Sequence, residues 1–286
     1  MIAAQFDYVR ANTLDEALTL LAQNEEAKIL AGGHSLIPAM KLRLAQPPLL
    51  VDIGRIKDLC YVSQDDGQIR IGAMTTHYQI ESSELLKQVC PLLPDCASHI
   101  GDPQVRNKGT IGGSVAHSDP AGDWPAAIIA LNAELVAASK NGDRIIKADD
   151  FFVDLMTTAL EPGEILREIR VNIAPARTGT AYVKMHHPAS GFAVVGVAAS
   201  LTLGDNGCEQ ASVGITGVSS KAYRATGVED GLKGAQMDAP SIANAASHAS
   251  DGVDLNGDIF ASDEYRRHLA QVYTQRALQA AVERAG

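Results

Sequence analysis

Residues 101–123 of the chain read G-D-P-Q-V-R-N-K-G-T-I-G-G-S-V-A-H-S-D-P-A-G-D. Glycine loses more backbone entropy on folding than any other residue and is kept where positive φ or close backbone approach is required. Residues 109–114 are therefore predicted to form a binding loop, a run that no helix interior tolerates. Its main-chain N–H groups and the hydroxyls of Thr110 and Ser114 suit phosphate or pyrophosphate oxygens lying against bare backbone. A second pair, Gly32 and Gly33, follows the apolar run Lys28-Ile29-Leu30 and precedes a hydroxyl, Ser35. This spacing puts the pair at the carboxyl end of a strand, where open α/β sheets bind ligands. Taken singly, each pair has an ordinary turn as its alternative.

The two loops and their neighbours carry a resemblance. Residues 31–44 read A-G-G-H-S-L-I-P-A-M-K-L-R-L, residues 51–53 V-D-I, and residues 104–114 Q-V-R-N-K-G-T-I-G-G-S. In these stretches the chain resembles the FAD-binding medium subunit of the molybdenum hydroxylases, the group that includes carbon monoxide dehydrogenase and xanthine dehydrogenase. The resemblance extends from Phe6 to Tyr265-Arg266-Arg267. It implies an α+β protein: a two-part FAD-binding domain of the vanillyl-alcohol-oxidase/PCMH type, then a C-terminal domain of a three-stranded antiparallel sheet packed with helices.

Composition narrows the alternatives. Twenty-four basic against 34 acidic side chains give a formal charge of −10. Without a basic cluster such a chain is a poor nucleic-acid binder, because phosphate neutralisation supplies most of that affinity. The N-terminus has no basic segment followed by an apolar one, and the longest mostly apolar stretch, residues 125–138, is interrupted by Asn132 and Glu134. A signal peptide and a membrane span are not expected, and the reading is of a cytoplasmic, soluble protein. Cys60, Cys90, Cys96 and Cys208 lack cluster or zinc spacing and are read as small buried hydrophobes. The histidines show no H-E-x-x-H spacing, and neither a G-x-S-x-G elbow nor a Walker loop is present. Metal, hydrolase and kinase readings find no support.

Thr13-Leu14-Asp15-Glu16 is predicted to be a capping box opening an amphipathic helix over residues 14–22. A strand at 27–30, the first glycine loop, a helical piece at 37–42 and a strand at 49–53 complete one unit. Asp65-Asp66-Gly67 is predicted to turn a hairpin. The segment Thr75-Thr76-His77 can cap a helical stretch that runs to about His99 with breaks at Pro91 and Pro94, and Asp123 starts a helix over 124–131 with Pro125 in its first turn. Strands follow at 134–138, 144–147 and 164–172. The proline and glycine connection at 174–179 predicts a division into an FAD-binding domain, 1–175, with subdomains of about 1–57 and 58–175, and a C-terminal domain, 176–286. There, strands at 180–185, 193–203 and 209–216 precede helices at 241–250 and 262–284. Tyr265, Leu269, Val272 and Leu278 mark a core-facing stripe on the last helix.

A flavin needs a grip on its pyrophosphate, a lid on its ring and charge near the ring. The resemblance assigns Ile29, Leu30, Ala31, Gly32, Gly33, His34, Ser35 and Leu36, with Thr110, Ile111, Gly112, Gly113 and Ser114, to the diphosphate and adjoining sugar parts. It places Ile100 and Gly101 beside the adenosine end, Leu160 near the ring, and Phe192 over the isoalloxazine, where tyrosine is common. Asp123 is implied as a further contact, with helix capping as its alternative. Lys184 is implied beside the flavin, where an ammonium would raise the reduction potential; its alternative is an exposed strand lysine. The chain departs from the family at His187, where arginine is frequent, and Gly191, where aspartate is.

The function implied is that of the FAD subunit of a heterotrimeric molybdenum hydroxylase, an oxidoreductase. A small subunit would carry two [2Fe–2S] clusters and a large one molybdopterin, with a dimer of heterotrimers as the assembly. FAD here would collect electrons and pass them to an external acceptor, and no side chain need act as acid, base or nucleophile. A self-sufficient FAD-dependent reductase or oxidase of the same fold is the first alternative, and a scaffold whose glycine loops are only turns the second.

Overall fold

The computed structural model describes residues 1–285. Strand β1 (Asp7–Arg10) leads into α1 (Leu14–Gln23), then β2 (Lys28–Leu30), α2 (Leu36–Lys41) and β3 (Leu49–Asp52). The strands form a parallel sheet in the order β1-β3-β2. Thr13 caps α1 by accepting from the Glu16 amide at 3.1 Å. The Glu16 carboxylate, however, takes the Asn12 amide at 2.7 Å, one residue before the position a capping box requires. Ala17 and Leu18 press onto Val51 and Ile53 in a small core of their own.

Strands β4 (Val62–Asp65) and β5 (Gln68–Gly72) are joined by the expected hairpin, with Asp66 at φ 47° and Gly67 at φ 74°. Six short helices follow: α3 (His77–Glu81), α4 (Glu84–Val89), α5 (Leu92–Ser98), α6 (Pro103–Lys108), α7 (Ile111–His117) and α8 (Trp124–Ala130). Next come β6 (Glu134–Ser139), β7 (Gly142–Lys147), α9 (Ala148–Phe151), the ribbon of β8 (Phe152–Asp154) with β9 (Thr157–Thr158), and β10 (Ile165–Asn172). The second sheet is antiparallel, ordered β4-β5-β10-β6-β7. Its core-facing side chains pack on α8, which is buried at every position from Trp124 to Ala130.

The remaining strands, β11 (Thr178–His186), β12 (Ala193–Gly204), β13 (Gly207–Thr216) and β14 (Tyr223–Arg224), form an antiparallel sheet in chain order. The three anticipated strands are its body, and the two-residue β14 adds an edge. Behind it lie α10 (Thr226–Leu232), α11 (Ala239–Ala246) and the long α12 (Asp263–Ala285). The stripe on α12 is Leu269, Ala270, Tyr273, Ala277, Leu278 and Ala281; Tyr265, anticipated within it, is exposed. Cys90, Cys96 and Cys208 are buried, whereas Cys60 is exposed and donates to Gln79.

This third sheet sits tightly on both neighbours because small residues let backbones meet. A Cβ on Gly214 would collide with the Ala126 carbonyl of α8. A Cβ on Gly179 would collide with the Ala281 carbonyl of α12 and lie 2.5 Å from the Ala285 amide nitrogen. Tyr182 and Ala198 of the third sheet, with Ala222 just before β14, join the α8 core. Among the described residues no helix is long and apolar enough to cross a membrane. Gly179→Ala is expected to destabilise the chain by about 1–3 kcal/mol, as overpacking does, and urea unfolding measures the change.

Candidate functional site

The two glycine segments touch. Residues 31–35 join β2 to α2, and residues 109–110 join α6 to α7. A Cβ on Gly32 would collide with the Lys108 carbonyl oxygen and lie 2.9 Å from Gly109 Cα. One on Gly113 would lie 3.5 Å from Ala31 Cβ. Only a residue without a side chain allows this seam. Gly33 is in the left-handed region at φ 78°, and His34 Nδ1 lies 3.1 Å from the Gly32 carbonyl oxygen.

The second segment is not the loop its glycines predict. Thr110 caps a helix by accepting from the Gly113 amide at 3.1 Å, and Gly112 and Gly113 occupy the first turn of α7. Close packing explains their presence: a Cβ on Gly112 would collide with Ala73, whose carbonyl instead accepts the Gly112 amide at 2.9 Å. The Ile111 amide donates to Thr75 and the Ser114 amide to Thr110. The expected row of amide donors at Ile111, Gly112, Gly113 and Ser114 is thus spent inside the protein. Among the described residues, none accepts a hydrogen bond from the main-chain N–H groups of Gly32, Gly33, His34 or Ser35. The first segment supplies amide donors to the seam, and the second supplies a surface without side chains plus the Thr110 and Ser114 hydroxyls.

His77, to which the sequence assigned no place at the cofactor site, lies beneath this seam. Its amide donates to the Gly109 carbonyl at 3.0 Å, and its ring leaves no space for a Cβ on Gly109. Trp124 Nε1 donates to His77 Nδ1 at 3.0 Å, so the imidazole is neutral with its proton on Nε2. Burial lowers the His77 pKa to about 4, and the nearby His34 and Arg106 act in the same direction. The only tryptophan in the chain, directly after Asp123, was the available signal.

Asp123 does not cap α8. Its carboxylate accepts from Tyr182 Oη at 2.5 Å and from Lys184 Nζ at 2.9 Å. Lys184 also donates to the His99 carbonyl at 3.0 Å, and its side chain is 0% exposed, so it is not a surface lysine. Burial pushes the Asp123 carboxyl pKa up, against the downward pull of the Lys184 charge and the hydrogen bonds from Lys184 and Tyr182. Burial, reinforced by the Asp123 charge, holds the Tyr182 phenol well above its usual range. The pair is neutral overall, so little of the ammonium field expected near a flavin survives the facing carboxylate. It pins β11 to the start of α8. Nearby, Thr216 Oγ1 donates to the carbonyls of Pro120 and Gly122, and the Ala193 amide to that of Ala121.

These ties locate the remaining candidates. Phe192, half-exposed, immediately precedes Ala193 beside residues 120–122. Ile100 and Gly101 connect α5 to α6, and Arg106 Nη1 donates to the Ile100 carbonyl at 3.1 Å. Leu160 is partly buried against the α8 core, just beyond β9, which packs on α7. His187 Nδ1 accepts from the Ala189 and Ser190 amides within the turn that ends in Gly191 and Phe192. Of the anticipated residues, those of segments 31–35 and 109–114 meet at the glycine seam, and Lys184 pairs with Asp123 while Phe192 lies beside residues 120–122.

Lys184→Met would strand the buried Asp123 charge at an expected cost of about 3–5 kcal/mol, and adding Asp123→Asn should recover part of it in chemical denaturation. Since the folded His77 pKa lies below the unfolded value, its contribution is present above about pH 6.5 and falls as pH drops towards 4. His77→Gln is expected to remove about 3 kcal/mol of that pH dependence, read from urea unfolding by circular dichroism between those two values.

Family models match both parts of the chain: "FAD binding domain in molybdopterin dehydrogenase" over residues 4–172, and "CO dehydrogenase flavoprotein C-terminal domain" over residues 180–281. The carbon monoxide dehydrogenase medium chain of Hydrogenophaga pseudoflava is 38% identical over 98% of both chains. The glyceraldehyde dehydrogenase medium chain of Sulfolobus acidocaldarius is 37% identical over 98% of this chain and 99% of its own. Among solved structures, carbon monoxide dehydrogenase from H. pseudoflava lacking the Mo-pyranopterin moiety superposes with a TM-score of 0.97 at 38% identity, covering 100% of both chains. FAD is the cofactor of this chain, while iron–sulfur and molybdopterin groups belong to other subunits in complexes of this type. The chain belongs to the FAD-binding medium subunits of the molybdenum hydroxylases, as an oxidoreductase subunit.

Proposed function

We propose that this chain is the flavin relay of a heterotrimeric molybdenum hydroxylase. The contact of Gly32 with the backbone of Lys108 and Gly109 carries the reading, because two segments far apart in sequence form one bare seam with unused amides on one side. Ile29, Leu30, Ala31, Gly32, Gly33, His34, Ser35 and Leu36 hold the diphosphate from that side. Thr110, Ile111, Gly112, Gly113 and Ser114 close on it from the other. Ile100 and Gly101 flank the adenosine end, and Leu160 and Phe192 border the ring, with Phe192 exposed enough to stack on it. Asp123 and Lys184 hold the two domains in register around the ring.

FAD held by these residues would supply the redox chemistry that links the [2Fe–2S] clusters of a small subunit to an external acceptor. Molybdopterin in a large subunit would supply the substrate oxidation, in a dimer of heterotrimers. The residues of this chain bind, orient and shield; none is placed to act as a general base towards an organic substrate. The division into an FAD-binding domain over 1–175 and a C-terminal domain over 176–286 goes with this reading.

Anaerobic mixing tests it. In the purified complex, substrate is expected to bleach the flavin, whereas the isolated FAD-loaded chain is expected to stay yellow with the same compound. Bleaching of the isolated chain by an organic substrate would favour a self-sufficient flavoenzyme. Gly32→Val is expected to weaken FAD binding at least about tenfold, equivalent to roughly 1.4 kcal/mol, by flavin fluorescence titration.

A further inference from the structure

His77 is tied at one ring nitrogen and left open at the other. Residues 75–77 run antiparallel to 109–111 through a bridge between Thr76 and Thr110. The His77 amide donates to the Gly109 carbonyl and the Ile111 amide to the Thr75 carbonyl, each at 3.0 Å. This pairing brings the imidazole against Gly109, where a Cβ would lie 2.6 Å from Nε2 and 2.8 Å from Cδ2. A Cβ on Gly32 would in turn lie 2.9 Å from Gly109 Cα, so one residue without a side chain separates Nε2 from the Gly32 backbone. An indole nitrogen donates and never accepts, so the bond from Trp124 makes Nδ1 the acceptor and leaves the proton on Nε2. Among the described residues none accepts from Nε2, and although the residue is only 4% exposed this atom is not sealed in.

An unmet donor on so buried a ring opposes folding, and an apolar ring in the same space would avoid that cost. We infer that the Nε2–H of His77 donates a hydrogen bond to a diphosphate oxygen of FAD, beside the free amides of residues 32–35. The inference rests on the reading of the glycine seam as the diphosphate cradle. Donors alone line this part of the seam: the imidazole N–H and the main-chain N–H groups of Gly32, Gly33, His34 and Ser35. Sugar hydroxyls both donate and accept, whereas a phosphate oxygen only accepts, and a charged acceptor strengthens each bond. Burial, with His34 and Arg106 acting in the same direction, keeps the imidazole uncharged down to about pH 4, so the donor is constant through the neutral range. Trp124 is then a positioning residue, holding the tautomer that points the proton outward past Gly109.

The test titrates FAD, ADP and riboflavin into the purified complex freed of its flavin, reading flavin emission directly and ADP by competition against FAD. His77→Asn keeps an acceptor for Trp124 but is too short to place a donor where Nε2 stands. It is expected to weaken FAD and ADP about tenfold each, as loss of one hydrogen bond to a charged acceptor does, and to leave riboflavin unchanged. His77→Gln, whose amide reaches as far as Nε2, is expected to hold both ligands to within about threefold of the wild type. Unchanged FAD and ADP affinity in His77→Asn overturns the hydrogen bond. Equal weakening by His77→Gln marks a structural role and overturns it too, as does a loss confined to FAD and riboflavin, which puts the donor at the ribityl chain. Gly32→Val separates this inference from the reading beneath it. If that variant weakens ADP and His77→Asn does not, the histidine assignment alone falls; if neither weakens ADP, the cradle falls with it.

Discussion

The structure depends on one close approach, the backbone of Gly32 against that of Lys108 and Gly109. It joins the end of a parallel strand in the first sheet to the entrance of α7, and so fixes how the first two sheets face each other. Any side chain at Gly32 would have to occupy the space of a carbonyl oxygen. The contact is therefore a geometric condition, met only by glycine.

The second organising element is the buried ion pair of Asp123 with Lys184. Desolvation opposes both charges, and the pair persists because Tyr182 Oη and the His99 carbonyl complete its hydrogen bonds. It is joined at the domain boundary by Arg224, which donates to the Ile129 carbonyl at the end of α8 and to Asn132 while pairing with Asp149 and Glu229. These polar links set the angle of the third sheet on α8 in a way that packing alone, being non-directional, does not.

Much of the fold was legible because it follows from local chemistry. Thr13 and Thr76 cap their helices, Asp66-Gly67 turns its hairpin, and the alternation over β12 marks a strand. The family motifs led to both glycine segments. The helical state of α7 was not legible, because Gly112 and Gly113 are poor helix formers and their place is set by Ala73, a neighbour remote in sequence. The role of Asp123 was hidden for the same reason: an acidic residue before Trp-Pro reads as a cap, and its true partners lie on β11.

Trp124 has a consequence for anyone following this molecule in solution. The chain has a single indole, and its nitrogen is held by the imidazole under the glycine seam. The seven tyrosines absorb in the near ultraviolet as well, but emission excited at the red edge of the indole band arises from one place, beneath the seam of Gly32 and Gly109, so it tracks the state of that junction without any added label.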